Sequence, residues 1–305
     1  MRLIRVNRRA AVKCLLGAIC APVLRAANAP VRLEVGGGAI DVTIDSDQFD
    51  LPQAALLEWV TQSARAVSGY FGKFPVEHAS VRIALGRRGR VSNGRSWGEG
   101  GARTRIFVGQ HATEADLKED WILTHEMVHF GFPSVEDEHH WIEEGTAVYV
   151  EPIARARIGA LTPERVWGDM ARDMPQGLPQ QGDEGLDRTH TWARTYWGGA
   201  MFCLMADIDI RKRTGNRKGL QDALRAINHA GGNIATDWPL KRALEVGAKA
   251  TDGKTLMDLY KQMAPKPVAV DLPALWKQLG VHRTETGVTF DDKAPLAAIR
   301  AKILG

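Results

Sequence analysis

The chain has 305 residues, of which 44% are hydrophobic and 25% are charged, the composition of a globular protein that can bury a full core in one two-lobed domain or in two small ones. The formal net charge is +4, but residues 1–29 contain six basic and no acidic residues, so 34 basic and 36 acidic residues, a net charge of −2, remain beyond them. The charge balance therefore does not indicate nucleic-acid binding, and we expect no nucleic-acid partner.

Residues 1–29 have the order of an export signal. Basic residues precede an apolar run from Cys14 to Leu24, and several alanines follow it. The stretch from Asn7 to Lys13 resembles the twin-arginine pattern, with a general secretory signal or an uncleaved anchor as alternatives. The apolar run is too short to span a bilayer comfortably. We therefore predict an exported protein, periplasmic or secreted, that meets a membrane only if the signal stays uncleaved. Its loss would leave Cys203 alone as a free buried thiol.

Strands and one helix are predicted before residue 110. Val31 to Ile44 reads as two short strands around a glycine turn. Apolar residues at helical spacing predict a helix from Pro52 to Gly69. The segments Val81 to Leu85 and Arg103 to Val108 are predicted as strands, and the Gly-, Arg- and Ser-rich stretch from Gly86 to Gly101 as a loop.

An H-E-x-x-H motif follows on a segment that we predict as one helix from Thr113 to about Gly131. On such a helix His125 and His129 lie on the same face, one turn apart, and can bind a single Zn²⁺. Glu126 then points toward the open position of the metal, where it can take a proton from zinc-activated water and pass it to the leaving amine. The motif arises by chance in on the order of one chain in a hundred of this length.

A catalytic zinc site usually has a third protein ligand, which here must come from further along the chain. After a Gly-Phe-Pro break, the segment from Trp141 to Gly145 begins a second helix that can present a carboxylate to the first. His139 and His140 are alternative ligands. The longer zincin motif fails, however, because Phe132 and Val135 stand where its glycine and third histidine belong. We interpret the two histidines as surface residues or as partners of the ligands.

These motifs resemble those of the gluzincin metallopeptidases, most closely the aminopeptidase N and glycyl aminopeptidase families, which carry W-x-x-E-G followed by a small residue and a tyrosine. The matching residues of this chain are Trp141, Glu144, Gly145, Ala147 and Tyr149. The resemblance implies that Glu144 is the third ligand of one Zn²⁺, while Glu143 occupies a position that is often Asn in the families. Only 14 residues separate His129 from Glu144, fewer than those families usually have.

A second stretch, Tyr196 to Arg211, extends the resemblance. The families have Y-x-K-G-A before an apolar helix, and this chain has Gly198 in place of the lysine. The resemblance implies that the Tyr196 hydroxyl stabilises the oxyanion of the tetrahedral intermediate. The alternative is an ordinary tyrosine packed in the core. The likeness covers roughly residues 115–215, with weaker similarity at the C-terminus.

The resemblance is less complete for substrate recognition. In thermolysin-like enzymes the edge strand next to the zinc helix binds the substrate backbone, and Arg103 to Val108 is the candidate. The aminopeptidases also carry G-x-M-E-N, which captures the free α-amine of the substrate. Gly98 to Gly100 matches it only faintly, and Glu99 and Glu143 are the candidate carboxylates. We rank aminopeptidase activity slightly ahead of endopeptidase activity.

The remaining sequence is predicted to be mostly helical. The Glu144 helix should run to about Arg157, and the segment from Met174 to Arg188 reads as a long loop, either a functional rim or a disordered insertion. A buried helix is predicted from Ala193 to Arg213. Further predicted elements are helices beginning at Thr162 and over Leu220 to Asn228, Leu240 to Val246, Leu256 to Met263, Leu272 to Leu279 and Leu296 to Leu304, and a strand over Thr286 to Phe290.

The order of elements predicts an α+β fold, a two-lobed thermolysin-like (gluzincin) catalytic domain. Residues 30–135 would form an N-terminal lobe of mixed sheet with helices that ends in the zinc helix, and residues 136–305 a mostly helical C-terminal lobe. The predicted function is an exported zinc metallopeptidase acting on peptide or protein substrates. The alternatives are a catalytically silent envelope binding or structural protein with this fold, and a zinc hydrolase of non-peptide amides.

Overall fold

The computed structural model describes residues 29–87 and 89–305, so nearly all of the predicted export signal lies outside the described residues. Within them a mixed sheet is built from β1 (Val31–Val35), β2 (Gly38–Ile44), β3 (His78–Gly86), β4 (Val91–Trp97) and β5 (Ala102–Gly109). The strand order is β1-β2-β3-β5-β4. The β1–β2 and β4–β5 pairs are antiparallel, and the β2–β3 and β3–β5 pairs are parallel.

The first two strands form the predicted hairpin. Gly36 and Gly37 join them with φ values of 58° and 83°, and two successive positive φ angles suit a tight hairpin turn that glycine adopts without strain. The predicted helix follows as α1 (Gln53–Phe71), which connects β2 to the parallel strand β3. Its apolar face is buried in the hydrophobic core.

The outer edge of the sheet corrects two predictions. β4 lies inside the stretch from Gly86 to Gly101 that we predicted to be a loop, and β5, which contains the predicted edge strand, is paired on both sides. The edge strand on this side of the sheet is therefore β4. Its sequence lacks clear alternation because one edge is unpaired and tolerates polar residues, and because the register shifts between Val91 and Asn93.

The chain after β5 is mainly helical. The α-helices are α2 (Glu114–Glu119), α3 (Ile122–Val128), α4 (His140–Arg157), α5 (Pro163–Asp173), α6 (Gly199–Arg213), α7 (Leu220–His229), α8 (Leu240–Ala250), α9 (Thr255–Met263), α10 (Leu272–Leu279) and α11 (Ala297–Leu304). A small antiparallel sheet of β6 (Val281–Arg283) and β7 (Val288–Phe290) precedes α11. The predicted strand near Phe290 is thus confirmed, and β6 was not predicted. In its described residues the chain combines a five-stranded mixed sheet with about ten helices.

The helix predicted from Thr113 to Gly131 is divided into α2 and α3. Thr113 begins α2 as predicted, in a capping box with Asp116. The side chain of Asp120 then accepts hydrogen bonds from the backbone N–H groups of Ile122 and Leu123, at 3.0 and 3.1 Å. An aspartate that binds the following N–H groups starts a new helix instead of continuing the old one. The H-E-x-x-H motif therefore lies on a short helix that is separate from α2.

Helices α4 and α6 cross closely at two glycines. A Cβ added to Gly145 of α4 would lie 2.2 Å from the carbonyl carbon of Gly199 in α6. Nearby, Asp207 accepts hydrogen bonds from the Tyr149 hydroxyl, at 2.9 Å, and from the Arg211 guanidinium, at 2.8 Å. These buried contacts fix α4 against α6.

The segment from Met174 to Arg188 is irregular beyond one 3-10 turn (Met174–Gly177), as predicted, but it is anchored. The buried Arg194 side chain forms an ion pair with Asp183, with 2.6 Å between Nε and Oδ2, and donates a hydrogen bond to the Gly177 carbonyl. A buried ion pair with further hydrogen bonds restrains both of the segments that it joins. These contacts favour a built rim over a disordered insertion.

Within the described residues, no helix is both long and apolar enough to cross a membrane.

Cys203 is buried in α6 with a free thiol, as predicted.

Candidate metal centre and active-site cleft

Helix α3 presents the two histidines of the motif on one face. His125 lies within α3, and His129 begins the 3-10 turn that follows it. The centroids of the two imidazole rings are 5.0 Å apart, with the ring planes at 82°. His125 is buried and His129 half-buried. Two imidazole rings this close together can bind the same metal ion.

Glu144 of α4 faces both histidines. Its Oε2 atom lies 3.1 Å from Nε2 of His125 and 3.7 Å from Nε2 of His129. One possible ligand atom from each of the three side chains lies within 4.8 Å of the others. Two imidazole nitrogens and a carboxylate oxygen are a common donor set of catalytic zinc sites, which keep a fourth position open. The three residues could therefore hold a metal ion, and their chemistry suits zinc.

The electrostatics of Glu144 and His129 favour the protonation states that metal binding needs. Burial alone would raise the pKa of Glu144, but hydrogen bonds from His125 and His140 and the charges of the histidines lower it well below its usual range. Burial lowers the pKa of His129, against the opposing effect of Glu144. An ionised carboxylate and neutral imidazole are the forms that bind a metal.

His140 and Glu143 support Glu144 from the start of α4. His140 Nδ1 lies 2.8 Å from Glu143 Oε2, and its Nε2 lies 3.3 Å from Glu144 Oε1. Hydrogen bonds to these two carboxylates raise the pKa of His140 to about 10. His140 therefore contacts the candidate ligand, as one of our two interpretations expected. His139 is buried away from this group and pairs with Asp187 at 2.8 Å.

Tyr196 lies at the metal site, in a π-helical turn (Arg194–Gly198) that precedes α6. Its ring is nearly parallel to that of His125, at 5° and 6.1 Å between centroids. Burial, the charge of Glu144 and a hydrogen bond to Glu144 raise the pKa of Tyr196. Its hydroxyl therefore keeps its proton and can donate it in a hydrogen bond to a developing oxyanion. The Arg194 ion pair described above restrains the same turn.

A cleft of about 520 Å³ separates the edge strand β4 from these residues. Glu126 is buried in its wall, and β4 passes directly over it, because a Cβ added to Gly94 would lie 2.8 Å from Glu126 Cγ. The Ser96 hydroxyl donates a hydrogen bond to the Glu126 carbonyl at 2.9 Å. The strand thus fixes Glu126 between the edge of the sheet and the metal centre.

One end of the cleft is closed by the connection between α7 and α8. A Cβ added to Gly98, just beyond β4, would lie 1.7 Å from the Ile234 carbonyl oxygen. The same connection pairs with Ser134, whose N–H donates to the Thr236 carbonyl at 2.9 Å. Ile234 and Ser134 both line the cleft. A chain lying along β4 therefore meets protein backbone at this end.

The two candidate carboxylates for an α-amine are placed differently. Glu99 is exposed and does not line the cleft, whereas Glu143 does. Both oxygens of Glu143 are already used, since Oε1 accepts from the Val135 N–H at 2.9 Å and Oε2 pairs with His140. Within the described residues, the carboxylates that line the cleft are Glu126, Glu143 and Glu144, and both oxygens of Glu143 already have hydrogen-bond partners.

Three residues near the site were not identified from the sequence. Gly94 could have been found, because a glycine inside a strand often marks a close approach of another chain segment. Two exposed tryptophans flank the site: Trp192 stacks on Tyr196 with 5.4 Å between centroids, and Trp121 packs edge-on against His125 at 5.4 Å. Neither has a sequence signal, because their positions depend on contacts between distant segments.

The fold is similar to that of solved metallopeptidase structures. An aminopeptidase N family protein from Idiomarina loihiensis superposes with a TM-score of 0.62 at 12% identity, over 83% of this chain and 49% of its own. The M1 zinc metallopeptidase from Deinococcus radiodurans has a TM-score of 0.52 at 14% identity, over 80% of this chain and 52% of its own. A mutant of that enzyme was solved with a Tyr-Ser-Ala substrate and has a TM-score of 0.51 at 14% identity, over 79% of this chain and 52% of its own.

At these identities the similarity concerns the fold, and this chain spans about half the length of each of these structures. No model of a known protein family and no curated protein sequence matches the chain.

Proposed function

We propose that this chain is an exported zinc metallopeptidase in which His125, His129 and Glu144 hold one Zn²⁺. The observation that carries the proposal is the convergence of both histidine Nε2 atoms on one Glu144 oxygen, within 4.8 Å, beside Glu126 in the cleft. We also propose that residues 30–135 and 136–305 form the two lobes of a gluzincin catalytic domain. The similarity in fold to zinc metallopeptidases supports both parts.

The side chains of the cleft suit peptide hydrolysis. A zinc ion on the three ligands would polarise the scissile carbonyl and lower the pKa of a water molecule. Glu126, buried in the wall of the cleft, is placed to take the proton of the attacking water and to pass it to the leaving amine. Tyr196, whose pKa is raised above its ordinary value by burial and by Glu144, stays protonated and is placed to donate a hydrogen bond to the oxyanion.

The unpaired edge of β4 suits the substrate backbone. An extended peptide can add to an open strand edge through main-chain hydrogen bonds, and β4 is the last strand of the sheet on this side and lines the cleft. Residues Gly94 and Ser96 then lie over Glu126, so that a bound peptide bond would pass the general base. The peptide Tyr-Ser-Ala bound by a similar enzyme supports this class of substrate.

Metal content and one isosteric variant test the proposal. The purified protein should contain or take up one zinc ion per chain and cleave peptides. Glu126→Gln should keep its zinc and lose at least about a hundred-fold in turnover, because a general base contributes that much. Arg65→Gln, an exposed change on α1, is the control and should match the wild type. Failure to bind zinc would refute the metal site. A zinc-loaded but inactive wild type would favour the silent binding protein or a non-peptide amide.

The closed end of the cleft supports aminopeptidase over endopeptidase action. A substrate that meets the backbone of Ile234 cannot extend further in that direction, which favours action at a chain end. The similarity in fold to an aminopeptidase N family protein points to the N-terminal end. A mixed peptide library with and without N-terminal acetylation, digested and read by mass spectrometry, distinguishes the two. We expect acetylation to suppress cleavage. Internal cleavage of acetylated peptides at undiminished rates would refute the aminopeptidase assignment and leave the zinc mechanism intact.

A further inference from the structure

The stretch around the edge strand is unusually rich in arginine. Residues 82–109 contain seven arginines, no lysine and a single acidic residue, Glu99. The chain beyond residue 29 carries a net charge of −2, so its overall composition does not explain this concentration. Guanidinium groups bind carboxylates through two parallel hydrogen bonds, which ammonium groups cannot do.

The strand register places three of these arginines in one row across the sheet. Arg95 of β4 lies opposite Arg105 of β5, which in turn lies opposite Arg82 of β3. Arg82 is neutralised by Asp45, with 2.6 Å between Nε and Oδ2. Within the described residues, Arg95 and Arg105 form no ion pair. Like charges directly opposite each other on paired strands repel, so an anion placed between them would be stabilised.

Aromatic side chains hold two of the guanidinium groups without neutralising them. Arg105 lies 4.8 Å above the Phe107 ring centroid, and Arg103, which lies opposite Trp97, is 5.9 Å from the Trp97 ring centroid. Arg103 also donates a hydrogen bond to the Glu99 carbonyl, and its Nε atom is buried. These contacts restrict both side chains without neutralising their charge. These side chains have therefore already lost part of the conformational entropy that they would lose on binding a ligand.

This charged surface borders the active-site cleft along β4. Gly94 and Ser96 face Glu126 and Arg95 between them lies on the opposite face of the sheet, so an extended peptide added to β4 would present alternate side chains to the cleft and to the arginines. We propose that the arginine face, formed by Arg95, Arg103 and Arg105, binds the side-chain carboxylates of acidic peptides and thereby directs them to the metal centre. This inference rests on the proposed peptidase function and names the substrate class: peptides rich in Glu and Asp near the bond that is cut.

The surroundings favour an acidic polypeptide over other polyanions. Single-stranded nucleic acid is usually held by free aromatic faces, whereas the two aromatic rings among these arginines, Trp97 and Phe107, each have a guanidinium group next to them, at 5.9 and 4.8 Å from the ring centroids. A membrane surface would be met by exposed apolar side chains. Among the described residues of this sheet, Leu85 is the one exposed large hydrophobic side chain.

A binding experiment tests the face independently of turnover. The zinc-loaded, full-length Glu126→Gln protein is titrated with two labelled peptides of equal length, one rich in glutamate and one with glutamine at the same positions, and anisotropy is recorded at low and high salt. We expect tighter binding of the glutamate peptide and loss of that preference as salt screens the charges. Adding Arg95→Gln or Arg105→Gln should weaken its binding roughly two- to five-fold each. Adding Arg65→Gln removes the same charge from α1 and should not.

The outcomes separate this inference from the proposed function. Equal binding of the two peptides to the unsubstituted face, or arginine variants that bind like their parent, would overturn the arginine face. So would arginine-dependent binding of a DNA oligonucleotide or of anionic phosphatidylglycerol vesicles as tight as that of the glutamate peptide. If the wild type cleaves both peptides at equal kcat/KM, the inference fails and the peptidase stands. If the glutamate peptide binds as expected but no peptide is cleaved, the peptidase assignment fails and the arginine face stands.

Discussion

Replacing Gly145 by alanine should damage the metal centre without touching a ligand. The added Cβ would lie 2.2 Å from the carbonyl carbon and 2.3 Å from the Cα of Gly199, whereas ordinary contact begins at 3.4 Å. Both partners are backbone atoms in close-packed helices, so α4 and α6 must separate by about 1 Å. Glu144 precedes Gly145 and would move with α4. Metal–ligand distances tolerate only about 0.2 Å.

The expected loss can be worked out from two opposing effects. Overpacking costs about 1–3 kcal/mol, and replacing a helical glycine by alanine returns about 1 kcal/mol, so the free energy of unfolding should fall by about 0–2 kcal/mol. Zinc affinity should fall on the order of tenfold or more, as when the support of a ligand is removed.

Gly168→Ala in α5 is the matched control. Its Cβ would meet only Val288, at 3.9 Å or more, so we expect unchanged zinc affinity and a gain of up to about 1 kcal/mol. Urea unfolding of the metal-free proteins and competition with a zinc chelator measure the two quantities. If the Gly145 and Gly168 variants behaved alike in both assays, the close crossing of α4 and α6 would not be what positions Glu144.

Three further results are expected. Glu144→Ala should lose zinc in a chelator titration while Glu143→Ala largely retains it, and the reverse would show that the wrong carboxylate was assigned. Tyr196→Phe should lower kcat at least about tenfold with little change in KM, because the hydrogen bond to the oxyanion forms in the transition state. A rise in KM of that size with kcat unchanged would contradict this role. In the metal-free protein, the pKa of His140 is raised from 6.5 to about 10, so its stabilising effect is complete below pH 6.5 and is lost as the pH rises through 10. His140→Gln should remove that part of the pH dependence of urea unfolding, and an unaltered profile would argue against the pairing.

The local chemistry of the metal motif could be predicted from the sequence, whereas the edge of the sheet could not. His125 and His129 are brought together by helical geometry alone, and the Thr113 cap depends on a residue three positions away. β4 was predicted as a loop because an edge strand buries only part of its surface and shows little hydrophobic periodicity. The helix break at Asp120 was missed because a single aspartate in a helical pattern can also stay exposed to solvent, and only its hydrogen bonds to the Ile122 and Leu123 N–H groups show that it begins a new helix.

The candidate site also divides into residues that could be identified from the sequence and contacts that could not. Glu144 and Tyr196 were assigned by resemblance, since no spacing rule links residues on separate helices. The structure brings both to the histidines. The contact of His140 with Glu144 and the closure of the cleft by Ile234 depend on how a shortened connection folds and on a segment about a hundred residues away along the sequence. Such long-range contacts leave no periodic signal in one sequence.

The short connection between His129 and Glu144 limits how the cleft can hold a substrate amine. A charged amine in a partly buried cleft needs a carboxylate partner. Glu143 is the candidate in the cleft, but one of its oxygens already accepts a hydrogen bond from the Val135 N–H and the other pairs with the cationic His140. An incoming amine would have to replace His140, exchanging one cation for another with little net gain. A preference for the terminus of a peptide substrate would then come mainly from the closed end of the cleft, where the backbone of Ile234 blocks the substrate chain. A dedicated binding site for the amine would contribute less.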